Sequence, residues 1–592
     1  KLHNLSFNVQ INPSTIFLTD FLLKILKPWR SLLLLFILPY LWRENADKDV
    51  KVQLQNGAII VGQHVKTGND VITVFTGVPY AAPPIGNLRF AKPVKLTLEP
   101  GTYIDATNIP PACLQNVYDP YPTFFSRQIS YSEDCLYLNI FTKHSWISKK
   151  KKKAVLFYIH GGSFSNGDGI SRDGSGFVEY TDIILVSVNY RLQMMGFFNY
   201  FNEIPKNLGL WDIIFALEWV QKNIGKFGGD NTRVTIMGES AGGALVTYLH
   251  TSPLTENLFA SSIALSGTLL APWAFTDISE MEQENKWNIV LESTGCTVES
   301  PLKCLRSAST DDLLRAMKET AELHNYPLDT WPPVIDKTLI IDTPLYSIKH
   351  GNYPNRPLLS GICQNEGSHI AMALADASNV SLVYNTDDIP NLRTFRKLSV
   401  DHILVQNVTL PCMSDNGTKL IQMYTDNNGV DLKIKYAKLM GDWLLSCPQL
   451  ITADMLSARD NNVYQYIFNY LSPNTADKDK SWCGVQHNED LGYILGLPLS
   501  SNSIFSNRKF DKFGTSDKKI SKLMMDVIKT FVRRGVPVIE NAYSKVCWKS
   551  IRQSNHYLHI LNKRVTTRSL DDIINHCNKL MNLVTSRTIK CI

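Results

Sequence analysis

The five residues Gly238-Glu239-Ser240-Ala241-Gly242 constrain this chain more than any other stretch of it. They follow a β-branched run, Val234-Thr235-Ile236-Met237, and precede a helical pattern from Gly243 to His250. Glycine–x–serine–x–glycine between a strand and a helix is the pattern of a nucleophile elbow. The serine sits on a tight, strained turn, and its small neighbours let strand and helix approach closely. That turn lifts the hydroxyl clear of a sheet and puts the Ala241 N–H beside a developing oxyanion.

The surrounding pattern supplies such a sheet. From Val50 onward, β-branched runs alternate with helical ones. Val71–Phe75 reads as a strand ended by Gly77 and Pro79, and Tyr80–Gly86 as a turn-rich loop. Ala154–Ile159, Ile183–Val188, Val234–Met237 and Ile263–Leu265 are nearly continuous apolar runs, suited to strands buried on both faces of a mainly parallel sheet. Between them, Trp211–Ile224 gathers Ile214, Leu217, Val220 and Ile224 on one helical face. The alternation predicts an α/β fold with a large, mostly parallel central sheet flanked by helices.

A serine nucleophile needs oxyanion donors, a base and an orienting acid. His160-Gly161-Gly162-Ser163-Phe164 follows the Ala154–Ile159 run and fits the donor loop, because bare glycines let main-chain N–H groups face a ligand. On spacing alone, a glycine pair after a strand is also an ordinary turn. Serine, acid and histidine come in that order in chains with this kind of elbow. Thirteen histidines are present, and composition does not choose among them.

The choice comes from a resemblance. FTGVPYAAPPIGNLRF (75–90), SEDCLYLNIF (132–141), VNYRL (188–192), FGGDNTRVTIMGESAGG (227–243), NEGS (365–368) and WCGVQHNEDLGYILGLPL (482–499) stand in order along the chain. In these segments the chain resembles the type-B carboxylesterase/cholinesterase family, over about residues 50–580. The resemblance implies an α/β-hydrolase fold and a catalytic triad of Ser240, Glu366 and His487. It implies oxyanion donors at the backbone of Gly162, Ser163 and Ala241. The family usually has a third glycine where Ser163 stands, so the Ser163 Cβ is expected to narrow the hole. An aspartate commonly precedes the acid where Asn365 stands, and this exchange is expected to matter less.

The same resemblance implies disulfides Cys113–Cys135, Cys296–Cys304 and Cys447–Cys577, and buried ion pairs Arg89–Glu133 and Arg191–Asp212. It leaves Cys363, Cys412, Cys483, Cys547 and Cys591 unassigned. Within the family, cholinesterases carry a choline-site tryptophan ten residues before the cysteine of the EDCLYLN motif. This chain has Phe125 there, and His369 where another gorge aromatic normally follows the acid. The acyl-pocket phenylalanines before Val334-Ile335-Asp336 are absent, although Trp331 is near, whereas Trp482 and the GLPL segment resemble cholinesterases. The expected activity is therefore that of a general carboxylesterase on a small-molecule ester, with a cholinesterase as the alternative. A cholinesterase-like adhesion protein is a further alternative, but family members that bind partners without catalysis typically lose a triad residue, and this chain keeps all three. No cofactor and no metal is expected, and no C-x-x-C occurs.

Composition bears on compartment and partners. Lys24, Lys27 and Arg30 precede an apolar run from Leu32 to Trp42, which reads as a targeting segment too short to span a bilayer comfortably. Residues 1–48 are thus expected to be leader, 49–585 one elaborated domain and 586–592 a tail, with no stable membrane span after signal removal. Sequons at Asn379, Asn407 and Asn416 cluster in a polar stretch expected to be loop. With the leader, they point to a secreted, disulfide-permissive protein. The 11 cysteines leave at least one unpaired within the chain, and Cys591 is a candidate for a cross-link to a second copy. Five of the six net positive charges correspond to one run, Lys149–Lys153, expected on a solvated loop. It lacks an accompanying aromatic platform or zinc-finger spacing, so nucleic acid is not expected as a partner.

Overall fold

The computed structural model describes Asp49 to Thr585 apart from 68–69, 116–129, 148, 199–202, 277–279, 323–330, 385, 405–413, 427–428, 475–477, 501–512, 542–543, 547 and 562–563. Its contacts divide the chain into residues 1–51, of which only Asp49–Lys51 are described, and Val52–Ile592. The targeting segment, Phe125, Asn407 and cysteines 412, 547 and 591 lie outside the described residues.

Within Val52–Ile592 one large sheet carries the fold. Its principal strands are β1 (Ile59–Thr67), β2 (Asp70–Pro79), β3 (Tyr137–Lys143), β4 (Lys153–Ile159), β5 (Ile184–Val188), β6 (Gly229–Glu239), β7 (Ser261–Leu265), β8 (Leu358–Cys363), β9 (Val463–Asn469), β10 (His556–Leu561) and β11 (Val565–Ser569). They lie in the order β1-β2-β3-β5-β4-β6-β7-β8-β9-β10-β11. The run from β5 to β10 is parallel throughout, and antiparallel pairs flank it on both sides. Every residue of β5, β7 and β8 is buried, so both faces of the sheet are covered, as the continuous apolar runs require. Helix α1 (Leu208–Asn223) precedes β6. Helix α2 (Ala241–His250) leaves β6 and packs on β6 and β7.

Two expectations change. The first strand does not stop at Gly77 but continues to Pro79 across a bulge between Phe75 and Val78. Gly77 takes φ 74°, and its N–H donates to Asn139 Oδ1 at 3.1 Å, so a turn residue becomes a bulge within the strand. The polar stretch from 375 to 420 is not a plain loop. It takes in the end of helix α3 (Gly367–Ala377), the whole of α4 (Leu392–Leu404) and the first part of α5 (Ser414–Thr425). Phe395, Leu398 and Ile403 are buried on α4, and Leu420, Ile421 and Tyr424 on α5, a helical spacing that the high polar content obscures. Asn379 is exposed just beyond α3, at φ 58°, whereas Asn416 falls within α5.

Cys113–Cys135, Cys296–Cys304 and Cys447–Cys577 are disulfide-bonded. Arg89 and Arg191 each grip a carboxylate through two nitrogens: Arg89 holds Glu133 at 2.7 and 2.6 Å, and Arg191 holds Asp212 at 2.8 and 2.7 Å. Among the described residues, no helix is long and apolar enough to cross a membrane.

Candidate active site

Parallel strands β4, β6, β7 and β8 are neighbours, so the loops leaving their C-terminal ends meet on one edge of the sheet. Ser240 occupies the turn from β6 into α2. Its backbone is at φ 56°, ψ −124°, a region side-chain-bearing residues rarely adopt. The Ser240 N–H donates to Leu265 O at 2.8 Å, and Ser240 O accepts from the Ala244 N–H at 3.0 Å, which fixes the turn from both sides. The two flanking glycines are required by close approach. A Cβ on Gly238 would lie 2.2 Å from Gly242 O, and one on Gly242 would lie 2.2 Å from Ile159 O.

The loop after β4 packs against this elbow. A Cβ at Gly161 would come within 2.5 Å of Glu239 O and 3.0 Å of Ser240 Cβ. Gly162, Ser163 and Phe164 follow with φ of 105°, 55° and 58°, three left-handed residues in succession. Gly162 O accepts from the N–H groups of Ser165 and Asn166, closing the loop on itself. At its base, His160 stacks on Tyr190 at 4.4 Å, and the Tyr190 hydroxyl donates to His160 O at 2.9 Å.

Glu366 stands at the start of α3, just after β8, fully buried in its side chain. Its Oε1 accepts from Ser266 Oγ at 2.5 Å and from the Cys363 N–H at 2.6 Å. Its Oε2 lies 2.7 Å from His487 Nδ1. Three contacts leave this carboxylate little freedom and hold the imidazole in one orientation. The His487 loop is itself clamped. Asn365 Oδ1 accepts from the Val485 N–H at 3.1 Å, and the Asn365 N–H donates to Val485 O at 2.9 Å. These contacts tie the acid-bearing loop to the histidine-bearing one through an acceptor oxygen and a backbone N–H, both of which an aspartate would also supply, so the exchange at Asn365 leaves the tie in place.

In the sequence Glu239 is only the variable residue of the elbow motif, yet its Oε1 is 3.1 Å from His487 Nε2, off the hydrogen-bonding direction but well within ion-pair distance. Burial pushes the Glu239 carboxyl up to about 7, although His487 and Arg172 pull it down. Burial lowers the His487 imidazole, but the charges of Glu239 and Glu366 outweigh it and raise the group to about 9. A third carboxyl, Asp490, accepts from Tyr466 Oη at 2.5 Å and is pushed by burial up to about 6. The site is thus a buried histidine among carboxylates, one of which, Glu239, immediately precedes the serine on the strained elbow. Ser266 lies outside the segments that carry the resemblance, and Asp490 lies within one of them (482–499) without being singled out by it; the fold brings both to the site.

Comparison with known proteins bears on the chain as a whole. The model of the family described as "Carboxylesterase family" matches residues 48–576. An acetylcholinesterase of Bungarus fasciatus is 30% identical over 514 residues, covering 83% of this chain and 79% of that protein. A cholinesterase of Mus musculus is 28% identical over 522 residues, covering 85% of this chain and 82% of that one. Neuroligin-2 of Mus musculus is 29% identical over 543 residues, covering 83% of this chain and 62% of its own length.

Proposed function

This chain belongs to the carboxylesterase family, and from that premise we propose that it is an active serine hydrolase that cleaves carboxylic esters through an acyl-enzyme. The observation that carries the proposal is the clamp on His487, oriented by Glu366 at 2.7 Å beside the elbow that bears Ser240. In this reading, His487 takes the Ser240 proton as the hydroxyl oxygen attacks the ester carbonyl. The N–H groups of Gly162, Ser163 and Ala241 receive the oxyanion. His487 then returns the proton to the leaving alcohol, and water repeats the sequence on the acyl-serine.

Preference for uncharged esters over choline esters fits the exchanges at Phe125 and His369, since recognition of a quaternary ammonium uses aromatic faces, tryptophan best. Export from the cell fits the three disulfides, which persist in oxidising compartments. A fluorophosphonate probe tests the reading. Wild-type protein is expected to label at Ser240, and Ser240→Ala to abolish labelling. Ser240→Ala or His487→Ala is expected to lower kcat by about 10⁶, the scale of a comparable serine protease. Hydrolysis by either variant within tenfold of wild type would overturn the assignment. A panel of choline esters and neutral isosteres, compared by kcat/KM, tests the substrate preference.

A further inference from the structure

The run Lys149–Lys153 takes no part in the site above. It leads into β4, whose first residue is Lys153, and the Gly161–Phe164 loop follows β4, so the two occupy opposite ends of one strand about 23 Å long. Lys149, Lys150 and Lys151 are exposed. The next two lysines turn inward and anchor the loop: Lys152 Nζ donates to Gly225 O at 2.6 Å, and Lys153 Nζ lies 3.4 Å from Asp182.

Asp182 is shared with two more cations, Lys143 at 3.4 Å and Arg533 at 3.9 Å. One carboxylate thus serves three positive groups, and Arg534 is exposed beside Arg533. On the other flank, Arg233 donates to Lys152 O at 2.8 Å, and exposed Lys226 adjoins Gly225. Arg233 is paired with Asp230 at 2.8 Å, so the exposed excess of cations here is Lys149, Lys150 and Lys151 with Lys226 and Arg534, a basic band at the end of β4 remote from the elbow.

We propose that this band binds a linear sulfated polysaccharide, holding the protein with its active-site edge turned away from the polymer. Exposed lysines are mobile point charges, suited to successive sulfates rather than to one anion gripped in a fixed fork. Trp146, the indole among them, is buried beneath the Lys153 and Lys143 ammoniums at 4.7 and 5.4 Å from its centroid. It is placed neither to enter a lipid surface nor to stack on a nucleic acid base, and those two polyanions usually draw on such contacts as well as charge.

The test uses the full chain on immobilised heparin. The variant Lys149→Gln/Lys150→Gln/Lys151→Gln is compared with a charge-matched control carrying Lys303→Gln, Lys349→Gln and Lys397→Gln, all exposed residues elsewhere. Wild type and control are expected to be retained with a steep salt dependence. The band variant is expected to bind about tenfold or more weakly, with a log–log salt slope shallower by about 2–3, since each neutralised cation releases one fewer counterion. Hydrolysis of a soluble ester is expected to persist on the resin. Equal affinity of band and control variants would overturn the proposal, as would undiminished binding to desulfated heparin. Tighter binding to phosphatidylserine vesicles or to single-stranded DNA than to heparin would assign the band to another partner and also overturn it. Loss of hydrolysis on binding would overturn the orientation.

Discussion

Glu239 Oε1 lies 3.1 Å from Nε2 of His487, the nitrogen that must receive the serine proton in the proposed mechanism. The carboxylate favours the imidazolium, so it raises the pH at which His487 becomes a competent base. Glu239→Gln keeps the shape and removes the charge. The acid limb of the pH–kcat/KM profile reports protonation of the free enzyme's base. It is therefore expected to move to lower pH in this variant, by about one unit or more, the usual effect of a carboxylate within 4–6 Å. An unmoved limb between wild type and Glu239→Gln would mean that the contact does not govern His487.

Ser163 tests the strain in the donor loop. At φ 55° its Cβ crowds the following carbonyl, a conformation that costs a side-chain-bearing residue about 1–2 kcal/mol. Alanine at this position keeps the cost and glycine removes it, at the expense of a more flexible unfolded chain. Ser163→Gly is expected to be about 1 kcal/mol more stable than Ser163→Ala by denaturant midpoint. Both variants keep the backbone N–H, so hydrolysis of a small ester is expected to survive in each.

The pair Arg191–Asp212 is 3% and 0% exposed, and Arg191 also donates to Ala91 O at 2.8 Å. Asp212→Ala would leave the guanidinium charge buried without its partner. A loss of about 3–5 kcal/mol is expected. Arg552 and Asp460 form a pair at least as close, at 2.5 Å against 2.7 Å, but are 59% and 64% exposed. Water solvates either member alone, so Asp460→Asn is expected to cost under about 1 kcal/mol. Urea unfolding of the two variants side by side checks whether burial, rather than distance, sets the cost.

What the sequence discloses follows the range of each interaction. The elbow at Ser240 is legible because strand, turn glycines and helix are contiguous. Glu366 and His487 are 121 positions apart, and only the resemblance of their surrounding segments brings them together before the fold does. Ser266 reaches Glu366 across 100 positions with no segment to announce it. Gly77 misleads as a strand end because a bulge and a turn place the same demand on a glycine, and only the partner Asn139 separates them. Helices α4 and α5 are hidden for the opposite reason: their buried faces are narrow, and polar residues around them give the stretch the composition of a loop.

The disulfides offer a prediction in which sequence distance sets the energy. Cys447–Cys577 closes a separation of 130 residues and Cys296–Cys304 one of 8. If a bridge stabilises mainly by restricting the unfolded chain, the loop-closure relation gives about 5 kcal/mol for the first and about 2.5 kcal/mol for the second. Replacing both cysteines of each pair by serine is therefore expected to lower the denaturation midpoint roughly twice as far for 447/577 as for 296/304. Cys447–Cys577 also joins helix α6 (Cys447–Ala458) to α7 (Asp571–Thr585), which pack on one another. Its removal should therefore leave the native packing of α6 on β8 and β9 in place, and activity at low temperature should persist. Equal losses for the two bridges would show that native-state strain or residual structure in the unfolded chain, rather than loop length, governs what these bonds contribute.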